Sequence, residues 1–145
     1  MLFRSHQIAR IAPRLARANA AVEVLVDGAE RYLALRDRQG LHSGFNAKPF
    51  VAGRLDAKTF DAKTFAAMPD EIRLRLLLRA IDRVGHEGPA ELGKVEALLS
   101  ALDLAGAENN SGRRLRLKQT LAGALISLID GRIRIEPAPP RRRSG

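Results

Sequence analysis

Leu121-Ala-Gly-Ala-Leu-Ile-Ser-Leu-Ile129, Asp130-Gly131, Arg132-Ile-Arg-Ile-Glu136: this stretch decides the fold. Asp-Gly supplies the two positive-φ positions of a type I′ turn, the commonest two-residue connection between antiparallel strands. Before it, Leu121 to Ile129 is apolar. After it, Ile133 and Ile135 alternate with Arg132 and Arg134. A two-stranded β-hairpin is predicted, with one face packed on helices and the other carrying guanidinium groups. Pro137, Pro139 and Pro140 end the second strand, and Arg141-Arg-Arg-Ser-Gly145 reads as a disordered basic tail. A basic lead-in, Arg113-Arg-Leu-Arg-Leu-Lys-Gln-Thr120, precedes the hairpin.

Upstream the pattern is helical. Apolar positions recur at Ile8, Ile11, Leu15, Ala18, Val22, Leu25, Ala29 and Leu33, in the steps of three and four that make one helix face. Arg10, Arg14, Arg17, Glu23, Glu30 and Arg31 lie opposite, and Pro13 is expected in the first turn of this long helix, where its missing N–H costs little. Residues 37–55 hold Gly40, Ser43, Gly44, Asn46, Pro49 and Gly53 and read as a loop. Two helices follow. One begins near Pro69-Asp70-Glu71 and runs to Gly85, with acids at the positive end of its dipole. The other runs from Pro89-Ala-Glu91 to Gly106. The short break between them predicts an antiparallel helical hairpin. Glu108-Asn-Asn-Ser-Gly112 is a polar linker.

Asp56-Ala-Lys-Thr-Phe60 is repeated verbatim as Asp61-Ala-Lys-Thr-Phe65. Five residues match neither the helical nor the strand period, so the copies cannot present one face. The repeat reads as a tolerated tandem insertion, with Phe65 the expected core contact.

Charge is unevenly spread along a chain of net +9. Residues 113–145 carry eight Arg and one Lys against Asp130 and Glu136, whereas 69–105 carry five bases against seven acids. Such asymmetry points to a polyanionic partner, although 20 Arg against five Lys is also what a GC-rich genome encodes. Arg75, Arg79 and Arg83 form an i, i+4, i+8 ridge that reads first as a solvated face and second as an RNA-backbone contact.

No catalytic constellation is legible. The chain has no cysteine, and His6, His42 and His86 lack metal-ligand spacing. No Gly-x-Ser-x-Gly elbow or phosphate cradle occurs, and Asp70-Glu71 suits a helix start better than a carboxylate pair. No apolar run approaches the roughly 20 residues of a membrane span, and no signal peptide opens the chain, so a cytoplasmic protein is expected.

Three stretches carry a family resemblance. They are Pro13-Arg-Leu-Ala-Arg-Ala-Asn-Ala20; Phe65-Ala-Ala-Met-Pro-Asp-Glu-Ile72 with Arg75-Leu-Leu-Leu-Arg79; and Arg116-Leu-Lys-Gln-Thr-Leu-Ala-Gly123 with its glycine turn and Glu-Pro ending. In that order they resemble the C-terminal part of bacterial tRNA(Ile)-lysidine synthetases, of the short alphaproteobacterial form. The resemblance implies a ligase that attaches lysine to the wobble cytidine of an isoleucine tRNA, with ATP and Mg as cofactors of the parent enzyme. The family's Ser-Gly-Gly-x-Asp-Ser loop has no counterpart in these 145 residues. No catalytic, cofactor or metal residue is therefore assigned, and the chain is expected to be inactive alone, with a catalytic domain supplied from elsewhere. Met1-Leu-Phe-Arg-Ser5 also matches what a sequencing-adapter end, CTCTTCCGATCT, encodes after its Met. These five residues are accordingly expected to be artefactual.

The fold expected is α+β and mainly α-helical. A linker helix occupies 1–45, a loop with the duplication 46–68, a helical substrate-binding domain ending in the β-hairpin 69–136, and a Pro/Arg tail 137–145. The function expected is tRNA binding through Arg113, Arg114, Arg116, Lys118, Arg132 and Arg134, because phosphate contacts position an RNA without reading its sequence. The alternative is a basic helical protein–protein module whose long helix docks on another chain, with homo-oligomerisation as one outcome.

Overall fold

The structure is a computed structural model that describes residues 2–43, 58–107 and 115–140. Eight elements follow in order: α1 (Leu2–Ser43), β1 (Lys58–Asp61), α2 (Ala62–Ala66), α3 (Asp70–Val84), α4 (Leu92–Ala107), β2 (Leu115–Leu121), β3 (Ala124–Ile129) and β4 (Arg132–Pro137). The architecture is mainly helical with one antiparallel sheet, as the sequence pattern implies, and the long N-terminal helix is present.

The predicted hairpin is the middle of something larger. The sheet has four strands in the order β1-β4-β3-β2. The apolar run from Leu121 to Ile129 is not one strand, because Ala122 (φ 50) and Gly123 (φ 80) turn the chain inside it. The basic lead-in then becomes β2 and pairs back onto β3, Lys118 opposite Ser127 and Leu121 opposite Ala124. On the far side β1 pairs with β4, Phe60 opposite Ile133.

The duplication needs a parallel correction. Its first copy ends in β1 and its second forms α2, so identical residues adopt different backbones. The Asp61 carboxylate ends the strand and caps the helix, accepting from the Thr64 N–H (2.9 Å) and hydroxyl (2.6 Å). The chain thereby doubles back, and both rings enter the core, not Phe65 alone. Phe60 and Phe65 are 4% and 2% exposed and stack with centroids 5.9 Å apart. Two helix limits also move. Pro13 lies inside α1, not in its first turn, and α1 continues to Ser43 through residues whose composition suggests a loop. The rest of that loop, the 108–112 linker and the tail from Arg141 fall outside the described residues.

The core forms where α3 and α4 pack on one face of the sheet. Leu77, Ile81, Val95 and Leu98 meet Ile126, Leu128, Ile133 and Ile135, all buried. The two helices are antiparallel: Arg73 at the start of α3 pairs with Asp103 near the end of α4 (2.6 Å). Arg73 is itself buried, bonded also to Asp70 and lying 5.9 Å over the Phe65 ring. Val26 and Leu33 of α1 are buried where that helix packs on α3 and β1.

Candidate nucleic-acid interface

Side chains alternate between the two faces of a strand, so strand register assigns each basic residue to a face. Ile126, Leu128, Ile133 and Ile135 point toward the helices. Their neighbours point away. Lys118 pairs with Ser127, Ser127 with Arg134, and Arg134 with Thr59, which sets one row across all four strands on the face turned from α3 and α4. Lys118 and Arg134 stand two strands apart in that row, about 10 Å at the usual strand spacing, with the buried Ser127 between them. The adjacent row is Leu115, Ile129, Arg132 and Asp61.

Of the six predicted RNA-binding residues, the structure therefore gathers Lys118, Arg132 and Arg134 on one face. It sends Arg116 elsewhere. The register slips between Leu115 and Leu117, and at this bulge Arg116 turns to the helix side. There it lines a cavity of about 380 Å³ with Lys63, Phe65, Leu102 and Asp103. Arg113 and Arg114 lie outside the described residues.

The three gathered cations are not equally available. Arg132 donates to Asp37 of α1 (2.9 Å), and Arg134 pairs with Glu136 on its own strand (3.2 Å). The Nε of Arg134 is buried without a hydrogen-bond partner among the described residues. Lys118 is exposed and has no ion-pair partner among them.

The Arg75–Arg79–Arg83 ridge, read as solvated, instead clamps α1 to α3. Arg75 donates to Asn19 (2.7 Å) and Glu23 (2.7 Å), and also to Glu71 on its own helix (2.8 Å). Arg79 reaches Glu23 and Asp27, and Arg83 reaches Glu30. Lys58 of β1 adds a bond to Glu30 (3.2 Å). The bonds from Arg79 and Arg75 hold the Glu23 carboxyl below the usual carboxylate range. Burial opposes ionisation of Glu30, but Arg83 and Lys58 outweigh it and its pKa too is lowered. The ridge is visible in the sequence; its partners, some 50 residues upstream, are not.

A second cavity, about 430 Å³, lies beside the β2–β3 turn and is lined by Glu87, Lys94, Gln119, Thr120 and Pro139 among others. His86 Nε2 lies 3.2 Å from the Ala138 carbonyl near its rim. Among the described residues no group of three or more metal-ligating side chains gathers, and no helix is long and apolar enough to cross a membrane.

The chain is 57% identical to a protein named tRNA(Ile)-lysidine synthase from Bradyrhizobium diazoefficiens, a match covering 97% of this chain and 38% of that protein. A protein of the same name from Rhodopseudomonas palustris is 47% identical, over 95% of this chain and 36% of the relative. A third, from Methylobacterium sp. (strain 4-46), is 36% identical over 95% and 35%. Neither a family model nor a solved structure matches the chain. By sequence, along nearly its whole length, the chain belongs to the tRNA(Ile)-lysidine synthase family, and it spans a little over a third of the length of the curated relatives it matches.

Proposed function

We propose that these residues form the tRNA-holding, C-terminal portion of a tRNA(Ile)-lysidine synthase. The enzyme's lysine-ligating, ATP-using centre would lie in sequence beyond this stretch. The observation that carries the reading is the row Lys118–Ser127–Arg134, with its two cations on the sheet face turned from α3 and α4, in a chain homologous to proteins named for a tRNA reaction. Lys118 and Arg134 contact the phosphate backbone, and Arg132 on the same face extends the positive field there; Arg116, Arg113 and Arg114 add positive charge to the basic lead-in by sequence. Arg134 exchanges its Glu136 partner for phosphate when RNA arrives, which its half-exposed guanidinium permits. The residues present do not fit ATP or Mg: no glycine-rich loop joins a strand to a helix, and no carboxylate cluster gathers among the described residues.

The test is titration of a tRNA(Ile) transcript with the chain across a salt series. Each lost phosphate contact removes about 0.7–0.9 from the slope of log K against log salt. K118Q/R134Q is thus expected to flatten it by about 1.4–1.8. An unaltered slope, or a wild-type chain that ignores the tRNA at low salt, overturns the proposal.

A second reading has its own support. Ile11, Leu15, Leu25 and Tyr32 of α1 are 51%, 63%, 58% and 48% exposed and fall near one helix face. Under that reading α1 docks on another protein or a second copy, and sedimentation would find the chain self-associated without RNA.

A further inference from the structure

We infer that the first half of α1 is a second phosphate-binding surface, an arm presenting Arg10, Arg14 and Arg17 to the RNA backbone. This rests on the tRNA-holding reading for the identity of the polyanion. It adds a site that neither the sheet nor the basic lead-in includes.

Charge segregation within this one helix carries the inference. The first acid in the chain is Glu23. Every acid of α1 lies at or beyond it, and every one is occupied. Glu23 holds Arg75 and Arg79, Asp27 holds Arg79, Glu30 holds Arg83 and Lys58, and Asp37 holds Arg132. The acids of α1 thus serve to fasten it to the body.

The first half has the opposite character. Residues 9–21 are exposed throughout, about 20 Å of helix at 1.5 Å per residue. Partners match in ascending order along α1 and α3, so the helices run parallel and the arm extends past the Asp70 end of α3. Among the described residues the earliest hydrogen bond from α1 to α3 is at Asn19, which accepts from Arg75 (2.7 Å). Arg10, Arg14 and Arg17 stand at i, i+4 and i+7, on one face and about 10 Å from first to last. None has an ion-pair partner among the described residues.

Three arginines held in line by a helix, with no acid within the same 22 residues, complement a row of phosphates. A protein surface would need a matching acidic stripe, whereas phosphates line every nucleic-acid strand. RNA is therefore the favoured occupant, and an acidic protein is the competing outcome.

The experiment compares four forms of the full chain binding a tRNA(Ile) transcript by fluorescence anisotropy over a salt series. These are wild type, R10Q/R14Q/R17Q, R10K/R14K/R17K and K118Q/R134Q. Gln and Lys keep helix propensity near that of Arg, so circular dichroism should be unchanged. The Gln triple is expected to reduce the salt slope by about 2–3 and the Lys triple to restore most of it. If the Gln triple binds as wild type does while K118Q/R134Q weakens, the arm is not a phosphate surface and the sheet reading stands. The arm fails as an RNA surface in the same way if the Gln triple instead abolishes capture of an acidic protein. A wild-type chain that binds no tRNA at any salt overturns the underlying reading itself.

Discussion

Gly123 and Gly131 occupy comparable places, each a positive-φ residue (80° and 74°) in a tight turn between neighbouring strands of the sheet. Replacing either with Ala forces an L side chain into the left-handed region, at about 1–2 kcal/mol. What surrounds them differs. A Cβ at 131 meets nothing within 4 Å, whereas one at 123 would stand 2.6 Å from the His86 backbone N and 2.9 Å from that of Glu87. Those atoms cannot retreat cheaply, because Glu87 N–H donates to Ala122 O (3.2 Å) and Ala138 N–H to Gly123 O (2.8 Å). Overpacking against fixed backbone adds about 1–3 kcal/mol. G131A should therefore lose about 1–2 kcal/mol and G123A about 2–5. With a urea m-value of about 2 kcal/mol/M, their midpoints should differ by about 0.5–1.5 M. Asn tolerates the left-handed region, so G131N should recover most of the loss while G123N does not. Equal midpoints for G123A and G131A would refute the close approach of the β2–β3 turn to the α3–α4 loop.

Two further expectations concern the charges that hold helices together. Glu23 and Glu30 titrate below their ordinary value because arginines of α3 favour their ionised forms. Their contribution is present in full above the unfolded carboxylate range and fades as pH falls through their lowered pKa values. Urea midpoints of the wild type should drop below about pH 4.5, and E23Q/E30Q should be weaker at neutrality yet flatter in acid; parallel profiles would rule out the ladder as the fastening of α1. Arg73 is buried with its Nε unpartnered among the described residues, while its acids Asp70 and Asp103 have side chains 86% and 48% exposed. Removing it leaves those carboxylates free to rehydrate, so R73M should stay within about 1 kcal/mol of wild type and R73A should cost about 2–3. Equal losses on denaturation would mean that charge, not packing over Phe65, is what the position requires.

Local chemistry is legible in the sequence and long-range pairing is not. Asp130-Gly131 announces its turn because both residues favour the conformation they adopt, and the acids at Asp70 and Glu71 announce a helix start for the same kind of reason. Ala122-Gly123 makes a turn of similar backbone, yet Ala122 lacks a side chain that signals positive φ, and the apolar run continues across it. The cost of placing Ala there is met by packing against the 85–87 loop, which no local pattern encodes. β1 is four residues long and finds its partner in β4 across more than seventy residues, Lys58 opposite Ile135. The duplicated pentapeptide carries the same propensities twice, so only the pairing of Phe60 with Ile133 and the Asp61 cap could make one copy strand and the other helix. Among the proposed site residues, alternation places Arg132 and Arg134 together, but the bulge that diverts Arg116 depends on β2 pairing with β3.

The same limit explains why the net charge misleads as a map of binding. A ridge of three arginines on α3 is the most regular basic pattern in the chain, and it is spent on the acids of α1. A chain that folds through such interhelical pairs hides cations where its acids are, and presents cations where acids are missing. The informative quantity is therefore the local shortage of acid, not the local abundance of base. By that measure the first 22 residues, with no acid, and the terminal 33, with only Asp130 and Glu136, are the stretches of sequence poorest in acid and the places where the proposed polyanion contact is expected. Unfastening the ladder should consequently alter stability before it alters affinity, whereas neutralising Arg10, Arg14 and Arg17 should do the reverse. The two effects of arginine separate because one set pairs with carboxylates already in the fold and the other is exposed, with no ion-pair partner among the described residues.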